Sequence, residues 1–262
     1  MTANDRLLKS LGVDHPEAIL PAILEVKFHP PKRSAGNPEE GVYDWSEIAS
    51  RLDHISRRRR ADRVFFYRHG ATNYNRRNLV SGQHNTQLSD EGRAQALQLR
   101  HELPEKIDLI VCSALARSIE TMALSVPNAI KHHVPIVLDP RLNEVNLGVL
   151  QGRRRRHLPE FDAGDIDFAP TEGESYRQAA HRVLSVIVDI FDRLAEAGPS
   201  PRNAAVFCHA GVLRIIATLK MHSNDPKDVF QISLGNAEGL QMSAKDVTLP
   251  SYWKGRDAVG SR

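Results

Sequence analysis

Cysteine is scarce in this chain of 262 residues, with Cys112 and Cys208 as its only two. Two cysteines cannot form the multi-disulfide framework that stabilises small secreted domains. Long apolar runs are also missing: the longest, near residues 18–24, contains Pro21 and falls far short of the roughly 20 residues that span a bilayer. The first residues lack the apolar core of a signal peptide. We therefore expect a cytoplasmic protein with no membrane partner.

No excess of one charge sign points to a polyanionic partner. The chain has 35 Lys and Arg against 32 Asp and Glu, a formal net charge of +3. Basic residues are clustered in two tetra-arginine runs, Arg57–Arg60 and Arg153–Arg156. Such runs are typical of solvated loops or local anion contacts, and no aromatic-bearing nucleic-acid motif accompanies them. We expect no nucleic-acid partner.

The first 62 residues differ from the rest of the chain. Prolines and a glycine interrupt residues 29–38, whereas Asp44–Ile55 has apolar residues at helical spacing. We interpret residues 1–62 as an N-terminal extension that packs on a catalytic domain, residues 63–262. The extension could cover an edge of the sheet, form a lid over the pocket or mediate assembly into a homo-oligomer.

From Arg63 onward, short apolar strands alternate with amphipathic helices. Ser89 can cap one helix, and Ser175 with Gln178 has the capping-box spacing before another. This alternation is typical of a mostly parallel sheet covered by helices on both faces, so we predict an α/β fold, a three-layer α/β/α sandwich. The strand-like runs are Val64–Tyr67, Asp108–Cys112, Pro135–Leu138 and Ala204–Cys208.

Chemically useful side chains follow these predicted strands. Parallel strands end at one edge of a sheet, where ligands bind, so we expect the side chains to converge there. Arginine binds phosphate oxygens in a bidentate way, a neutral imidazole is a competent nucleophile, and a carboxyl group can protonate a leaving alkoxide. The set predicts phosphoryl transfer through a histidine. Its members are Arg68, His69, Arg117, Glu144 and His209.

The residues around His69 resemble the signature of the histidine phosphatase superfamily, also called phosphoglycerate mutase-like. The resemblance covers about residues 63–245, and several motifs in the family's order are a specific signal. The similar segments are Tyr67-Arg68-His69-Gly70-Ala71-Thr72-Asn73-Tyr74-Asn75, Ser81-Gly82, Leu88-Ser89 with Gly92, Ser113-Ala114-Leu115-Ala116-Arg117 with Thr121, Leu142-Asn143-Glu144 with Gly148 and Gly152, and Cys208-His209-Ala210-Gly211-Val212-Leu213-Arg214.

The resemblance implies a role for each residue. His69 would attack phosphorus and become phosphohistidine, while Glu144 would protonate the leaving alcohol and then activate water. No metal and no cofactor are needed in this scheme. Two simpler interpretations stay open: Asn75 could cap a turn, and Glu144 could merely pair with an arginine. The residues expected to hold the phosphoryl oxygens are Arg68, Asn75, Arg117 and His209.

The resemblance favours the phosphatase branch of the family. Mutases of the family carry a long insertion after the acid motif, whereas here Gly152 is soon followed by Thr171–Ser175, which looks like the phosphatase entry into the long helix. We predict hydrolysis of a phosphomonoester in a small metabolite. The alternatives are a phosphoglycerate mutase-type phosphotransferase and a non-catalytic protein that binds phosphorylated ligands. Three departures from the family pattern, none of which removes a proposed catalytic group, are Asn85, Ala114 and Ala210.

The run Arg153–Arg156 lies where the family places substrate-contacting loops. It could be a solvated loop. Alternatively, one of its arginines, with Arg76 or Arg77, binds a second anionic group of the substrate. In that case Arg154→Ala would raise KM more for substrates with a carboxylate or extra phosphate than for a simple monoester.

The remaining cysteines and histidines have structural interpretations. Cys112 and Cys208 end two strands that the family's sheet order places side by side, and we expect buried free thiols rather than a disulfide. The adjacent His132 and His133 have no further ligands at suitable spacing. We therefore predict surface histidines and no metal site.

Overall fold

A mixed sheet of six strands forms the centre of the protein in a computed structural model that describes residues 28–29, 42–59, 61–127, 134–155, 164–221 and 224–254. The strands are β1 (Phe28–His29), β2 (Arg63–Arg68), β3 (Leu109–Cys112), β4 (Ile136–Leu138), β5 (Asn203–Cys208) and β6 (Gly239–Ser243). Their order is β1-β4-β3-β5-β2-β6, and every neighbouring pair is parallel except β2 and β6. The predicted mostly parallel sheet is confirmed.

Helices connect these strands, and two of the helices begin at the predicted caps. Ser89 accepts a hydrogen bond from the Gly92 amide, and Ser175 forms a capping box with Gln178. No helix in the described ranges is both long and apolar enough to cross a membrane. The helices are α1 (Trp45–Arg58), α2 (Asn73–Arg76), α3 (Asp90–Gln98), α4 (Ala116–Ser125), α5 (Tyr176–Glu196), α6 (Ala210–Met221) and α7 (Asp228–Gln231), with 3₁₀ turns at Leu99–His101, Pro140–Leu142, Gly148–Leu150, Ala244–Asp246 and Ser251–Lys254.

Alternate residues of the central strands enter two separate apolar cores. In β3, Leu109 and Val111 belong to one core, and Ile110 and Cys112 belong to the other. Helices α1, α5 and α6 pack in the first core, while α4 packs in the second. Because side chains alternate across a strand, the two cores lie on opposite faces of the sheet. The three-layer α/β/α sandwich is therefore confirmed.

The two cysteines are buried free thiols at the ends of the neighbouring strands β3 and β5. Cys112 belongs to the core on one face and Cys208 to the core on the other. A disulfide between them is therefore not possible without moving a strand. The predictions for His132–His133 and for Arg156 fall outside the described residues.

Helix α1 packs on the first core through its apolar stripe. Asp44 caps the helix by accepting a hydrogen bond from the Glu47 amide, and Ile48, Leu52 and Ile55 are buried. Strand β1 pairs with β4 at an edge of the sheet. These two are the regular elements within the described parts of residues 1–62, and the division of the chain at residue 62 stays a prediction.

A buried ionic network ties the turn after β4 to helix α5. Arg141 is fully buried and donates to Oδ2 of Asp139 and Oδ2 of Asp189, each at 2.7 Å. The hydroxyl of Tyr43 donates to the other oxygen of Asp189 at 2.7 Å. The network fixes the segment that leads from the sheet to Glu144, and so helps to place the predicted acid.

Candidate functional site

The carboxyl ends of the parallel strands open into a cavity of about 270 Å³. The fully buried His209 lies beside it, with its ring centroid 5.2 Å from that of His69. The structure thus brings the six residues singled out from the sequence to one place, and their individual roles stay proposals. The five that line the cavity are Arg68, His69, Asn75, Arg117 and Glu144.

His69 is held with one ring nitrogen tied to the backbone. Its Nδ1 lies 2.7 Å from the Gly70 carbonyl oxygen. Because a carbonyl oxygen only accepts, Nδ1 carries the hydrogen and Nε2 keeps the lone pair. Burial, and then the charges of Arg117 and Arg68, lower the pKa of His69 well below its ordinary value. The imidazole is therefore neutral at neutral pH, with a free nucleophilic nitrogen.

Two glycines allow helix α3 to approach the loop that carries His69. The Gly70 amide donates to Oγ1 of Thr121 at 3.0 Å. A Cβ on Gly70 would lie 2.3 Å from the Gly92 carbonyl oxygen, and a Cβ on Gly92 would lie 2.0 Å from that of Ala71. Both distances are far inside van der Waals contact, so a side chain at either position would push the helix and the loop apart.

Arg68 and Arg117 are anchored by backbone carbonyls. Arg68 Nη1 donates to the Leu234 oxygen at 2.6 Å, while Arg117 donates to those of His84 at 2.8 Å and Gly82 at 2.7 Å. The Nε atoms of both arginines are buried and have no hydrogen-bond partner among the described residues. Burial lowers the pKa of Arg117 to about 10, so the guanidinium stays charged at neutral pH.

Ser113 holds His209 from the side of Nε2. Its Oγ lies 2.7 Å from that nitrogen and 2.9 Å from Oδ1 of Asn143, while Ser118 Oγ is 3.3 Å from the same nitrogen. Nδ1 of His209 is buried without a partner in the described ranges. Burial, and then Arg117 and His69, lower the pKa of His209 well below its ordinary value. The contact with Ser113 was not predicted from the sequence.

The carboxylate of Glu144 is held by backbone amides. Its Oε1 accepts from Gly211 at 3.0 Å and from Val145 at 2.9 Å. Its carbonyl oxygen accepts from Arg182 Nη2 at 3.1 Å and from Gln83 Nε2 at 2.9 Å. The backbone of Glu144 is thus fixed from two sides, and the carboxylate itself reaches the start of α6, next to His209.

Asn75 caps a turn and also lines the cavity. Its Oδ1 accepts from the amide and the hydroxyl of Thr72, both at 2.9 Å, in a capping box at the start of α2. Asn236 Nδ2 lies 3.3 Å from the same oxygen and 3.2 Å from the His69 carbonyl oxygen. The structure shows the cap that the simpler interpretation expected, and the role of Asn75 in holding a phosphoryl oxygen stays a prediction.

Among the lining residues that were not predicted from the sequence as site residues are Tyr176, Arg214 and Asn236. Arg214 donates through Nε to the Ile232 oxygen at 3.0 Å and through Nη1 to the Tyr176 hydroxyl at 3.3 Å. Arg214 is the last residue of the second histidine motif, and that position was the available signal. Tyr176 and Asn236 come from the start of α5 and the loop before β6, and no local pattern marks them.

Of the described residues in the run Arg153–Arg156, one arginine lines the cavity, and it is not the one chosen for the substitution. Arg155 lines the cavity, whereas Arg154 forms a β-bridge with Leu79 and lies outside the lining. The cause is the alternation of side chains along an extended segment, which turns neighbouring residues to opposite sides. Arg76 and Arg77 are exposed and lie outside the lining as well. The substitution that tests the hypothesis therefore moves from Arg154 to Arg155, and Arg154 becomes a control.

Two of the three departures from the family pattern, Asn85 and Ala114, form hydrogen bonds within the fold. Asn85 Oδ1 accepts from the Ala116 amide at 2.8 Å, at the start of α4, and the Ala114 amide donates to Asn143 at 3.0 Å.

Within the described part of the chain, no group of three His, Cys, Asp or Glu side chains is placed to hold a metal ion.

Comparison with known proteins places this geometry in a family. The sequence model of the histidine phosphatase superfamily (branch 1) matches residues 64–246. Glucosyl-3-phosphoglycerate phosphatase of Mycolicibacterium vanbaalenii is 28% identical over 70% of this chain and 85% of its own. Adenosylcobalamin/alpha-ribazole phosphatase of Escherichia coli is 31% identical over 71% of this chain and 93% of its own.

A solved structure agrees with these sequence matches. Mycobacterial glucosyl-3-phosphoglycerate phosphatase in complex with VO3 superposes with a TM-score of 0.61 and 26% identity, covering 71% of this chain and 95% of that one. The predictions of the family, the fold and the phosphatase class of enzyme are confirmed. The chain belongs to the histidine phosphatase superfamily, branch 1.

Proposed function

We propose that this protein hydrolyses phosphomonoesters of small metabolites through a phosphohistidine formed on His69. One observation carries the proposal. Unpaired buried polar atoms cost about 1–3 kcal/mol each and are rare in native structures. Several of them around one nucleophile are suited to a tetrahedral oxyanion. Among the buried atoms without a partner in the described residues, four belong to residues that line the cavity or lie beside it: Arg68 Nε, Ser81 Oγ, Arg117 Nε and His209 Nδ1.

In the first half-reaction, Nε2 of His69 attacks phosphorus and the bond to the ester oxygen breaks. Arg68 and Arg117 stabilise the charge that develops on the phosphoryl oxygens, because their anchored guanidinium groups need no reorganisation. His209 donates from Nδ1 while the Ser113 hydroxyl turns to Nε2. Glu144 gives its proton to the departing alkoxide, so the alcohol leaves neutral.

In the second half-reaction, Glu144 acts as the base. It takes a proton from water as the water oxygen attacks phosphorus, and the bond to Nε2 of His69 breaks. Inorganic phosphate leaves and Glu144 is again protonated. The hydrogen bond from Nδ1 of His69 to Gly70 keeps the same tautomer through both steps.

Cavity size and relatives support a small substrate. The cavity of about 270 Å³ lies below the roughly 300–1,000 Å³ typical of pockets for drug-sized ligands. The relatives named above are phosphatases of a glucosylated phosphoglycerate and of a ribazole compound. We extend that class, small phosphorylated metabolites, to this protein. A cytoplasmic location and a homo-oligomeric state stay predictions.

The test is phosphate release from a panel of phosphomonoesters in the presence of EDTA. Wild type, His69→Ala and His101→Ala are compared, because His101 is an exposed histidine outside the cavity lining. We expect turnover in wild type and His101→Ala and none in His69→Ala. Rapid quenching should trap a phosphoenzyme that is labile in acid and stable in alkali.

Other outcomes would contradict the proposal. Transfer of the phosphoryl group within one sugar acid, with little free phosphate, would favour the phosphotransferase. Phosphate binding with no turnover and no phosphoenzyme would favour a ligand-binding protein. Turnover that survives in His69→Ala would exclude His69 as the nucleophile.

A further inference from the structure

The cavity that holds the candidate site is lined by two arginines besides the two that we assign to the phosphoryl group. Four arginines and one carboxylate, Glu144, are among the lining residues. In the proposed mechanism, the phosphoryl dianion occupies Arg68 and Arg117. The remaining pair, Arg155 and Arg214, leaves positive charge at the site that a simple monoester does not neutralise.

Arg214 is fixed in place before any ligand binds. Its Nε donates to the Ile232 oxygen at 3.0 Å, and its Nη1 lies 3.3 Å from the hydroxyl of Tyr176, the first residue of α5. Two such contacts, on different sides of the guanidinium, fix its orientation and reduce the entropy lost when the group binds an anion. The position of Arg214 is thus set by the packing of α6 against α5.

The direction of the Arg155 side chain follows from a short antiparallel pairing of two segments. Gly152 donates to the Val80 oxygen at 2.8 Å, and the Arg155 amide donates to the Asn78 oxygen at 3.1 Å. Between these bonds, Arg154 forms its β-bridge with Leu79. Because side chains alternate along paired strands, Arg155 points to the opposite side from Arg154. This alternation explains why only Arg155 of the two lines the cavity.

The two arginines act on the same groups within the site. Burial raises the pKa of Tyr176, and the positive charges of Arg214 and Arg155 counteract that rise. Burial also lowers the pKa of Arg68, and the same two arginines lower it further. The guanidinium groups of Arg214 and Arg155 therefore each repel that of Arg68. A second negative group on the ligand would relieve this repulsion.

We propose that Arg155 and Arg214 bind a second anionic group of the substrate, so that preferred substrates carry a carboxylate or another phosphate besides the phosphate that is cleaved. The inference rests on the proposed function, because it takes the cleaved phosphate to lie at Arg68 and Arg117. It narrows the sequence hypothesis from one arginine of Arg153–Arg156 to Arg155, and it replaces Arg76 or Arg77 with Arg214.

The test uses equilibrium binding, so that its result does not depend on turnover. Two phosphonates of nearly equal shape, 3-phosphonopropionate and propylphosphonate, differ by one carboxylate, and calorimetry at one pH and one salt concentration gives their dissociation constants. The preference of wild type for 3-phosphonopropionate should be about tenfold or more, the value of one charge-assisted hydrogen bond. Arg155→Ala and Arg214→Gln should each remove most of it, whereas the matched control Arg154→Ala should keep it.

Either of two results would contradict the inference. Equal binding of the two phosphonates by wild type would overturn it, and so would loss of the preference in Arg154→Ala to the same extent as in Arg155→Ala. Circular dichroism of each variant excludes unfolding as the cause of a loss. A failure of the proposed function shows separately, as absence of phosphate release and of the phosphoenzyme in wild type.

Discussion

The backbone amide of Gly211 lies 3.0 Å from Oε1 and 3.2 Å from Oε2 of Glu144. Gly211 is two residues beyond His209, so one turn holds the second histidine and also fixes the carboxylate that we propose as the acid. A Cβ on Gly211 would lie 2.4 Å from Oε1. The geometry of the acid therefore depends on the absence of a side chain at this position.

Gly211→Ala should slow the cleavage of esters whose leaving group needs a proton more than the cleavage of esters whose leaving group does not. We expect kcat/KM for an alkyl phosphate such as glycerol 3-phosphate to fall on the order of 100-fold, the lower end of general acid catalysis. The loss for 4-nitrophenyl phosphate should be much smaller, because nitrophenolate leaves without a proton. Glu144→Gln is the reference variant and should show the same selectivity. Equal losses for both esters would mean that the substitution acts elsewhere than on Glu144.

The activity should persist to lower pH than an ordinary histidine nucleophile allows. Burial, Arg117 and Arg68 lower the pKa of His69, so the neutral nucleophile is still present when the pH falls below about 6.5, the ordinary histidine value. Arg68→Gln removes one of these positive charges and should move the acid limb of kcat/KM to higher pH. Profiles are compared on one substrate, so that its own ionisation cancels.

The matched control for that pH profile is Arg77→Gln, which removes an exposed arginine outside the cavity lining. Its acid limb should coincide with that of wild type. An acid limb that stays in place or moves to lower pH in Arg68→Gln would show that Arg68 does not set the protonation of the nucleophile.

Ser113→Ala should weaken phosphate binding through His209. The hydroxyl of Ser113 lies within hydrogen-bond distance of Nε2 and sets which ring nitrogen carries the proton. We expect the inhibition constant of inorganic phosphate to rise about tenfold, as for loss of one hydrogen bond to a charged group. The ¹⁵N chemical shifts of His209 with phosphate bound should report the Nδ1–H tautomer in wild type and a mixture in the variant. Unchanged shifts together with weaker binding would assign the effect to packing.

The parallel topology made much of the site predictable. A strand that ends at Arg68, and another that ends at Cys208 before His209, must deliver those residues to one edge if both strands run the same way in the sheet. Their apolar runs showed where they lie, and the motifs around His69 and Glu144 supplied the chemistry. Strand β6 was not predicted, because Gly239–Ser243 is polar and lies at the edge of the sheet.

The rest of the site depends on contacts between distant parts of the chain. Whether Arg154 or Arg155 enters the cavity is decided by the register of its pairing with Leu79, and a shift of one residue would exchange them. Arg214 and Tyr176 meet only because α6 packs against α5. The periodicity of neither helix indicates that contact. Sequence reasoning could therefore not place Arg214 and Tyr176 in the cavity lining.

We expect the buried network around Arg141 to contribute more to the free energy of unfolding than an exposed ion pair does. Arg141 and Asp189 have exposed side-chain fractions of 0% and 5%, whereas the Arg57–Asp53 pair has 75% and 57%. Arg141→Ala would leave Asp139 and Asp189 buried without a counter-charge, which costs about 3–5 kcal/mol of unfolding free energy.

The matched control is Arg57→Ala, which should cost at most about 1 kcal/mol because water already screens that pair. Urea unfolding at neutral pH measures both variants. Similar losses in the two would mean that Asp139 and Asp189 find other partners or water once Arg141 is gone. Asp189→Asn takes away the charge of that carboxylate and keeps its shape. If Arg141→Ala lowers the free energy of unfolding strongly and Asp189→Asn in the same chain restores part of it, the uncompensated carboxylate is the cause of the loss.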